Sequence, residues 1–221
     1  GISSSFGIWH EYIPQVFEIA KTKGLSITRL HTHIGAGTDP EVWQQAAKIS
    51  LELVRQFPDV KTLNLGGGFK VARVEGEQSA DMAEIGAMLE SELVKFAQET
   101  GRELYLELEP GTLLVANAGI MLAQVEDIVD TGKEGYAFLK LNTGMNDILR
   151  PTLYGSQHPI LVISDSDTEK DYVVVGHNCE SGDLLTLAPG DPETLQTRSF
   201  SEASIRDVVM IGGTGAYCAA M

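Results

Sequence analysis

The sequence is poor in cysteine, with only Cys179 and Cys218 among 221 residues. Two cysteines cannot build a disulfide framework, and neither stands in the CxxC spacing that is typical of a zinc site. No HExxH motif or pair of histidines at helical spacing is present, so no metal centre is predicted. This cysteine usage predicts a reducing, cytoplasmic setting.

Basic residues are scarce as well, because 16 Lys and Arg stand against 31 Asp and Glu, for a formal charge of −15. Such a field repels phosphate backbones and anionic lipid head groups, so neither nucleic acid nor a membrane is predicted as a partner. The sequence has no apolar run of about 18 residues that would span a bilayer. Gly1 to Ser5 lack the basic-then-apolar order of a signal peptide. A first residue other than methionine and an end at Met221 are interpreted as marks of an internal segment of a longer protein.

The first half of the chain alternates predicted helices with short predicted strands. Asp39-Pro40 has the composition of a helix start, Ser79 is predicted to cap a later helix, and the strands are predicted at 25–33, 62–65 and 104–108. Strands separated by helices in this way predict a parallel sheet or an α/β barrel. A whole (β/α)8 TIM barrel needs about 250 residues. Residues 1–114 are therefore predicted to form only part of such a barrel.

The second half has a different pattern, in which short β-type runs are separated by Gly, Asp, Asn and Pro. Residues 115–221 are predicted to form an antiparallel β-sandwich or β-barrel domain, also incomplete. The runs lie at 121–129, 136–141, 160–163, 172–175 and 208–211.

Polar and glycine-rich clusters follow the three predicted strands of the first half. They are His31-Thr-His33-Ile-Gly35-Ala-Gly37, Gly66-Gly67-Gly68 and Glu109-Pro110-Gly111. Taken alone, each cluster is compatible with an ordinary structural role, such as a loop hydrogen bond or a turn. Together, a ring histidine, a backbone cradle for an anion and a carboxylate would suit a flat, phosphorylated heteroaromatic cofactor.

Six motifs stand in an order that resembles the fold-type-III pyridoxal-phosphate (PLP) decarboxylases. They are HTHIGAG, LNLGGGF, LELEPG, ILRPTLYGSQHP, CESGD and GAY. Cys179-Glu180-Ser-Gly-Asp183, together with Arg150-Pro-x-x-Tyr154, is similar to the diaminopimelate decarboxylase family in particular. Ornithine-type relatives usually carry aspartate after that cysteine.

The resemblance implies a role for each cofactor-binding residue. His33 would stack on the PLP ring, and the glycine triplet with Gly111 would hold its phosphate. Glu109 would pair with the pyridine nitrogen and keep it protonated, so that the ring can accept electrons as CO2 departs. Tyr217 would touch the phosphate or the substrate.

The resemblance also implies a substrate site and a homodimer. Arg150 and Tyr154 would bind the distal carboxylate of the substrate, and Glu180 would pair with its distal ammonium group. Cys179 would be the acid that returns a proton to the substrate, which makes it, with His33, a catalytic residue. In the family, the cysteine and the glutamate come from the neighbouring subunit.

The sequence departs from the family pattern at three places, which leaves alternatives open. Thr112 stands where the family usually has an arginine that helps to bind the substrate, and Ala36 replaces a serine near the phosphate. The Schiff-base lysine of the family lies upstream of this segment, and no lysine here occupies its place. Decarboxylation of meso-diaminopimelate to lysine is the leading expectation for the full-length parent. The alternatives are decarboxylation of another dibasic amino acid (ornithine, lysine or a carboxylated polyamine) and a non-catalytic regulatory homologue.

Overall fold

The computed structural model describes residues 4–221, which form two compact units. The first unit contains the described residues up to Gly35 together with Asp39–Gly67 and Asp81–Glu109. The second unit contains Ala36–Thr38, Gly68–Ala80 and Pro110–Met221. The sequence predicted a single boundary, after residue 114, whereas two short segments of the first half pack with the second unit.

The first unit is a three-stranded sheet with helices between its strands. All neighbouring strands are parallel and stand in the order β1-β2-β3, with Leu30 opposite Leu63 and Leu63 opposite Leu106. The predicted strand–helix alternation is therefore confirmed over these strands. The elements are a 3₁₀ helix at His10–Tyr12, α1 (Ile13–Lys23), β1 (Arg29–His31), α2 (Pro40–Arg55), β2 (Thr62–Asn64), α3 (Met82–Thr100) and β3 (Tyr105–Glu107).

The helix ends follow local chemistry. The carboxylate of Asp39 accepts a hydrogen bond from the backbone N–H of Glu41 at 2.9 Å and begins α2, as predicted. The prediction that Ser79 caps α3 is wrong, because Asp81 accepts from the N–H groups of Ala83 and Glu84 instead. Asp and Ser cap helices about equally well, and the negative charge of a carboxylate adds a favourable interaction with the positive end of the helix. The hydroxyl of Ser79 accepts the backbone N–H of Ala72 at 2.9 Å.

The core of the first unit lies between the sheet and the paired helices α2 and α3. Apolar residues at helical spacing on both helices are buried in this core. The buried side chains include Trp43, Leu51, Val54, Leu63, Ile85, Leu89 and Phe96.

The second unit is a β domain with a six-stranded sheet in the order β10-β7-β5-β4-β11-β6 and a separate hairpin, β8-β9. Its core is formed by inward-facing side chains that include Val125, Leu139, Leu141, Ile148, Val174, Val209 and Ile211. Its elements are α4 (Thr112–Val115), a 3₁₀ helix at Ala116–Ala118, β4 (Ile120–Asp130), β5 (Ala137–Leu141), α5 (Arg150–Tyr154), β6 (Ile160–Ile163), β7 (Glu169–Val175), β8 (Leu187–Ala188), β9 (Asp191–Leu195), β10 (Arg198–Ser201) and β11 (Val208–Gly212).

The sheet of the second unit is mixed rather than antiparallel, which corrects the prediction. Strands β5 and β7 are parallel, with Leu139 opposite Val174, and the other pairs of this sheet are antiparallel. The chain leaves β5 through α5 and the edge strand β6 before it forms β7, and so long a connection allows the parallel direction. Across residues 4–221, no helix combines the length and the apolar character that crossing a membrane would require.

Candidate functional site

The carboxyl ends of β1, β2 and β3 bring polar residues to one edge of the first unit. The parallel register aligns His31 with Asn64 and Asn64 with Glu107. The residues that follow these strands, including His33 and Glu109, therefore emerge from the same edge. This is the edge at which α/β folds place their ligands.

The turn after β2 packs so closely against its neighbours that a side chain would not fit. A Cβ atom added to Gly66, whose φ is +73°, would lie 2.5 Å from Nδ1 of His33. A Cβ added to Gly67 would lie 2.2 Å from the backbone oxygen of Glu109. The Glu109 N–H also donates to the Gly66 carbonyl at 2.9 Å. The backbone at Gly66 and Gly67 is free of side chains and lies between an imidazole and the segment that carries a carboxylate. Such an arrangement fits a phosphorylated cofactor with a titratable ring nitrogen, because exposed backbone N–H groups can bind a phosphate.

Asn64 joins the glycine turn to Glu109, and no pattern in the sequence singled it out. Its Nδ2 donates to Oε1 of Glu109 at 2.8 Å and to Oε2 of Glu107 at 3.2 Å. Its Oδ1 accepts the N–H of Gly66 at 2.7 Å. Asn64 is 1% exposed, so this amide holds the carboxylate from within the unit. Its position at a strand end, two residues before a glycine turn, was the available signal.

Arg29 and His31 also lie within 4.0 Å of the paired carboxylates. Arg29 forms a 2.6 Å ion pair with Glu107, and its distance to Oε1 of Glu109 is 4.0 Å. Nε2 of His31 lies 3.8 Å from the same Oε1. Arg29 thus pairs mainly with Glu107. The carboxylate of Glu109 stays about half exposed and available to a ligand.

The remaining predicted phosphate ligands belong to the second unit. Gly68 has a φ of +97°, and its carbonyl accepts the N–H of Gly37 at 3.0 Å. Gly111 precedes α4, and its carbonyl accepts the N–H groups of Leu114 and Val115.

The second unit brings Arg150 and Tyr154 together on the short helix α5. The guanidinium carbon of Arg150 lies 5.8 Å from the centre of the Tyr154 ring, within the range of a cation–π contact. Nη2 of Arg150 donates to the hydroxyl of Ser156 at 3.2 Å. Half of the Tyr154 side chain remains exposed, so the pair can present a cation and a phenol to a ligand.

The loop that carries Cys179 and Glu180 is held by Asp183. This carboxylate is 3% exposed and accepts the N–H of Met145 at 2.7 Å. It also accepts the N–H and the side-chain amide of Asn178 at 2.9 and 2.7 Å. Cys179 is a free, exposed thiol. Asp183 stands in the CESGD motif, but no role was predicted for it.

The same loop is tied to α5 and presents its acid to solvent. The hydroxyl of Thr152 donates to the carbonyl of Gly182 at 2.8 Å. Oε1 of Glu180 accepts the N–H of Gly182 at 3.2 Å and makes no ion pair with any residue in 4–221. Its negative charge is therefore free to meet a cation.

The loop after β11 places Tyr217 in an unusual backbone conformation, with a φ of +56°. The neighbouring backbone is tight, since Gly215 donates to the Ala116 carbonyl at 2.9 Å. The Tyr217 side chain is 56% exposed. Within residues 4–221, no group of three or more His, Cys, Asp or Glu side chains could hold a metal ion.

Known proteins resemble the chain along its whole length. It is 30% identical to the diaminopimelate decarboxylase of Escherichia coli strain K12 over 228 residues, covering 100% of this chain and 53% of that protein. A crystal structure of diaminopimelate decarboxylase has a TM-score of 0.90 and 30% identity, covering 100% of this chain and 53% of the other. The Helicobacter pylori diaminopimelate decarboxylase complexed with L-lysine has a TM-score of 0.78 and 28% identity, covering 99% and 52%.

The chain spans about half the length of the curated relatives it matches. Its sequence also matches, over residues 13–215, the family described as pyridoxal-dependent decarboxylase, C-terminal sheet domain. That match covers both units and includes every candidate residue except Tyr217. The chain belongs to the pyridoxal-dependent decarboxylase family.

Proposed function

We propose that the full-length protein decarboxylates meso-2,6-diaminopimelate to L-lysine and CO2 with PLP, in the cytoplasm. The observation that carries this proposal is the packing of Gly66 and Gly67 against His33 and Glu109, which leaves bare backbone beside an imidazole and a half-exposed carboxylate. Similarity to diaminopimelate decarboxylases over the whole chain supports the substrate. The first unit would be the C-terminal part of a (β/α)8 barrel, and the second a barrel-like β domain.

Several of the candidate residues would hold the cofactor. When bound, PLP supplies an electron sink for the bond that loses CO2. Backbone N–H groups of the glycine triplet and Gly111 would bind its phosphate, with Tyr217 beside them. His33 would lie against its ring. Glu109, fixed by Asn64 at 2.8 Å, would hold a proton at the ring nitrogen.

The substrate would be oriented by three side chains of the second unit. Arg150 would bind the distal carboxylate, since a planar guanidinium matches a carboxylate in geometry. The exposed phenol of Tyr154, stacked against that guanidinium, would add a second donor. Glu180 would accept the distal ammonium group. The thiol of Cys179 would return a proton to the carbon that has lost CO2.

The function is tested by CO2 release from the full-length protein with added PLP, comparing meso-diaminopimelate, ornithine and lysine. We expect a preference for meso-diaminopimelate. Preference for another amine would instead support the second candidate, a decarboxylase of a different dibasic amino acid, which the threonine at position 112 leaves open. A folded protein that binds no PLP, judged by its absorbance, would indicate a regulatory homologue.

We also propose a homodimer in which Cys179 and Glu180 of one subunit serve the site of the other. The test mixes two inactive full-length variants, Cys179→Ala and Glu109→Gln. If the sites are shared, random mixed dimers contain one intact site and restore about a quarter of the wild-type activity. If each subunit carries a complete site of its own, mixing restores nothing. Single-variant dimers treated in the same way are the controls.

A further inference from the structure

Arg73 is fixed in the second unit by contacts on both its backbone and its side chain. The N–H of Arg73 donates to the carboxylate of Glu77 at 2.7 Å, and Nε donates to the Gly213 carbonyl at 3.0 Å. The aliphatic part lies directly on Gly213, where an added Cβ would come within 2.9 Å of Cδ. On the preceding residue, the side-chain amide of Asn117 donates to the carbonyl of Ala72 at 2.9 Å. The guanidinium therefore occupies a prepared position.

The charge of Arg150 acts on Arg73, and each of the two side chains has a buried donor without a partner in the described part of the chain. Nη2 of Arg73 and Nε of Arg150 are buried, and neither has a hydrogen-bond acceptor among residues 4–221. Burial, and then the positive charge of Arg150, lower the pKa of Arg73. Two like charges with buried, unsatisfied donors are unfavourable unless an anion joins them.

The neighbouring side chains do not supply that anion. Burial lowers the pKa of His158 to about 4, so this imidazole is neutral at pH 7. Burial raises the pKa of the Cys218 thiol, which keeps it protonated. The carboxylate of Glu77 is committed to the backbone of Arg73 and forms no ion pair with either guanidinium in the described part of the chain. These neighbours within residues 4–221 therefore leave the two guanidinium groups without a negative charge, and an anionic ligand would supply one.

We propose that Arg73 binds the distal carboxylate of the amino-acid substrate together with Arg150. This inference rests on the proposed function and deepens it, because it assigns a second substrate-binding cation. A single carboxylate can accept hydrogen bonds from two guanidinium groups. It would therefore satisfy the free donors on both side chains. Arg73 would then help to bind the substrate in place of the arginine that the family usually has at position 112, where this chain has threonine.

The test uses the full-length protein and three variants: Arg73→Gln, Arg73→Lys, and Lys133→Gln as the control. Lys133 is exposed in the turn between β4 and β5, so its variant removes one positive charge of the same unit. Arg73→Gln is expected to raise KM for meso-diaminopimelate at least about tenfold, the loss typical of a charge-assisted hydrogen bond. The KM of Arg73→Lys should lie between the values of Arg73→Gln and wild type. The KM of Lys133→Gln should equal that of wild type.

Two further ligands test whether Arg73 recognises the distal carboxylate or a different group. L-Lysine, the product, lacks only the carboxylate that leaves as CO2 and keeps the distal one, so its inhibition constant should rise about tenfold in Arg73→Gln, as KM does. The dissociation constant of PLP should stay unchanged. A loss of PLP affinity would assign the two arginines to the cofactor phosphate and overturn the proposal. An unchanged inhibition constant of L-lysine, or an unchanged KM for meso-diaminopimelate, would overturn it as well.

Calorimetric binding of pimelate, a dicarboxylate without amino groups, needs no turnover. Weaker binding to Arg73→Gln, but not to Lys133→Gln, supports the two-arginine site even if the wild-type protein releases no CO2. That outcome would contradict the proposed function and would still support the carboxylate site. Equal binding of pimelate to wild type and Arg73→Gln overturns the carboxylate site.

Discussion

The side-chain amide of Asn64 donates to the carboxylate of Glu109 at 2.8 Å and accepts the N–H of Gly66 at 2.7 Å. One buried residue thus sets the position of both the acid and the glycine turn. Asn64→Asp would replace the donor with a second carboxylate and repel Glu109. We expect the PLP dissociation constant of the full-length protein to rise about tenfold or more, measured by absorbance titration.

The matched control for Asn64 is Gln98→Glu, which adds one negative charge to an exposed site on α3. PLP affinity should be the same in this variant as in wild type. Unchanged affinity in Asn64→Asp would show that Glu109 keeps its position without the amide.

Gly67→Ala should distort the glycine turn after β2 through a clash with backbone alone. Its Cβ would lie 2.2 Å from the Glu109 carbonyl, so the turn or the segment after β3 must move. We expect unfolding free energy to fall by about 1 to 3 kcal/mol, measured by denaturant titration, along with weaker PLP binding. Gly86→Ala in α3, where nothing lies within 4 Å, should be neutral or stabilise by about 0.5 to 1 kcal/mol. Equal effects of both substitutions would contradict the packing argument.

Asp183→Asn should release the loop that carries Cys179 and Glu180. The substitution leaves at least one of the three donors around Asp183 facing an amide N–H₂ group, and a buried donor without a partner costs about 1 to 3 kcal/mol. We expect lower kcat together with lower stability. Asp167→Asn, at an exposed site between β6 and β7, should change neither. A stable Asp183→Asn enzyme with normal kcat would refute this role.

His158 should make stability depend on pH between about 6.5 and 4. Its buried Nδ1 lies 2.9 Å from the Gly212 carbonyl, and burial lowers its pKa from 6.5 to about 4. The unfolded chain therefore binds more protons in this window, and stability falls as the pH falls. The full contribution, present above pH 6.5, is about 3 kcal/mol at most.

His158→Asn keeps a donor near Gly212 and removes the titration. We expect the difference in unfolding free energy between wild type and His158→Asn to change between pH 7 and pH 4, measured by denaturant titration at several pH values. His177→Asn, at an exposed position, is the control. A difference that is constant with pH would rule out His158 as the titrating group.

A protein consisting of residues 1–221 alone should self-associate. Leu122 and Leu161 flank Met210 on neighbouring strands, and both leucines are more than half exposed. Ile163 and Val208 continue this apolar surface on the next cross-strand pair. Exposed apolar surface of this kind favours association. Light scattering after gel filtration should show aggregates, and Leu161→Lys should reduce them; a cooperatively melting monomer would contradict the expectation.

Local patterns predicted the elements of the first unit because their causes are local. Asp39 and Gly24 act within one turn of the helices they border. The strands β8, β9 and β10 were missed because β8 has only two residues and because β9 and β10 are largely polar. The parallel pairing of β5 with β7 could not be predicted, since periodicity does not reveal strand direction.

The candidate site shows the same limit. Motifs in the sequence identified His33, Glu109 and the glycines, because those residue types repeat at strand ends. Arg73 lies in no motif, and only its contact with Gly213, 140 positions away in the chain, reveals that its guanidinium is positioned. Asn64 and Asp183 were overlooked because their importance lies in three-dimensional hydrogen bonds rather than in spacing.

The short segments Ala36–Thr38 and Gly68–Ala80, which pack with the second unit, have a consequence for synthesis. A nascent chain that has just completed β3 already holds both segments, but the β domain they join has not yet been made. Their partners, such as Gly213 for Arg73, emerge from the ribosome later. Contacts this distant in sequence form slowly, so the loop after the glycine turn acquires its final shape only when translation of the second unit ends.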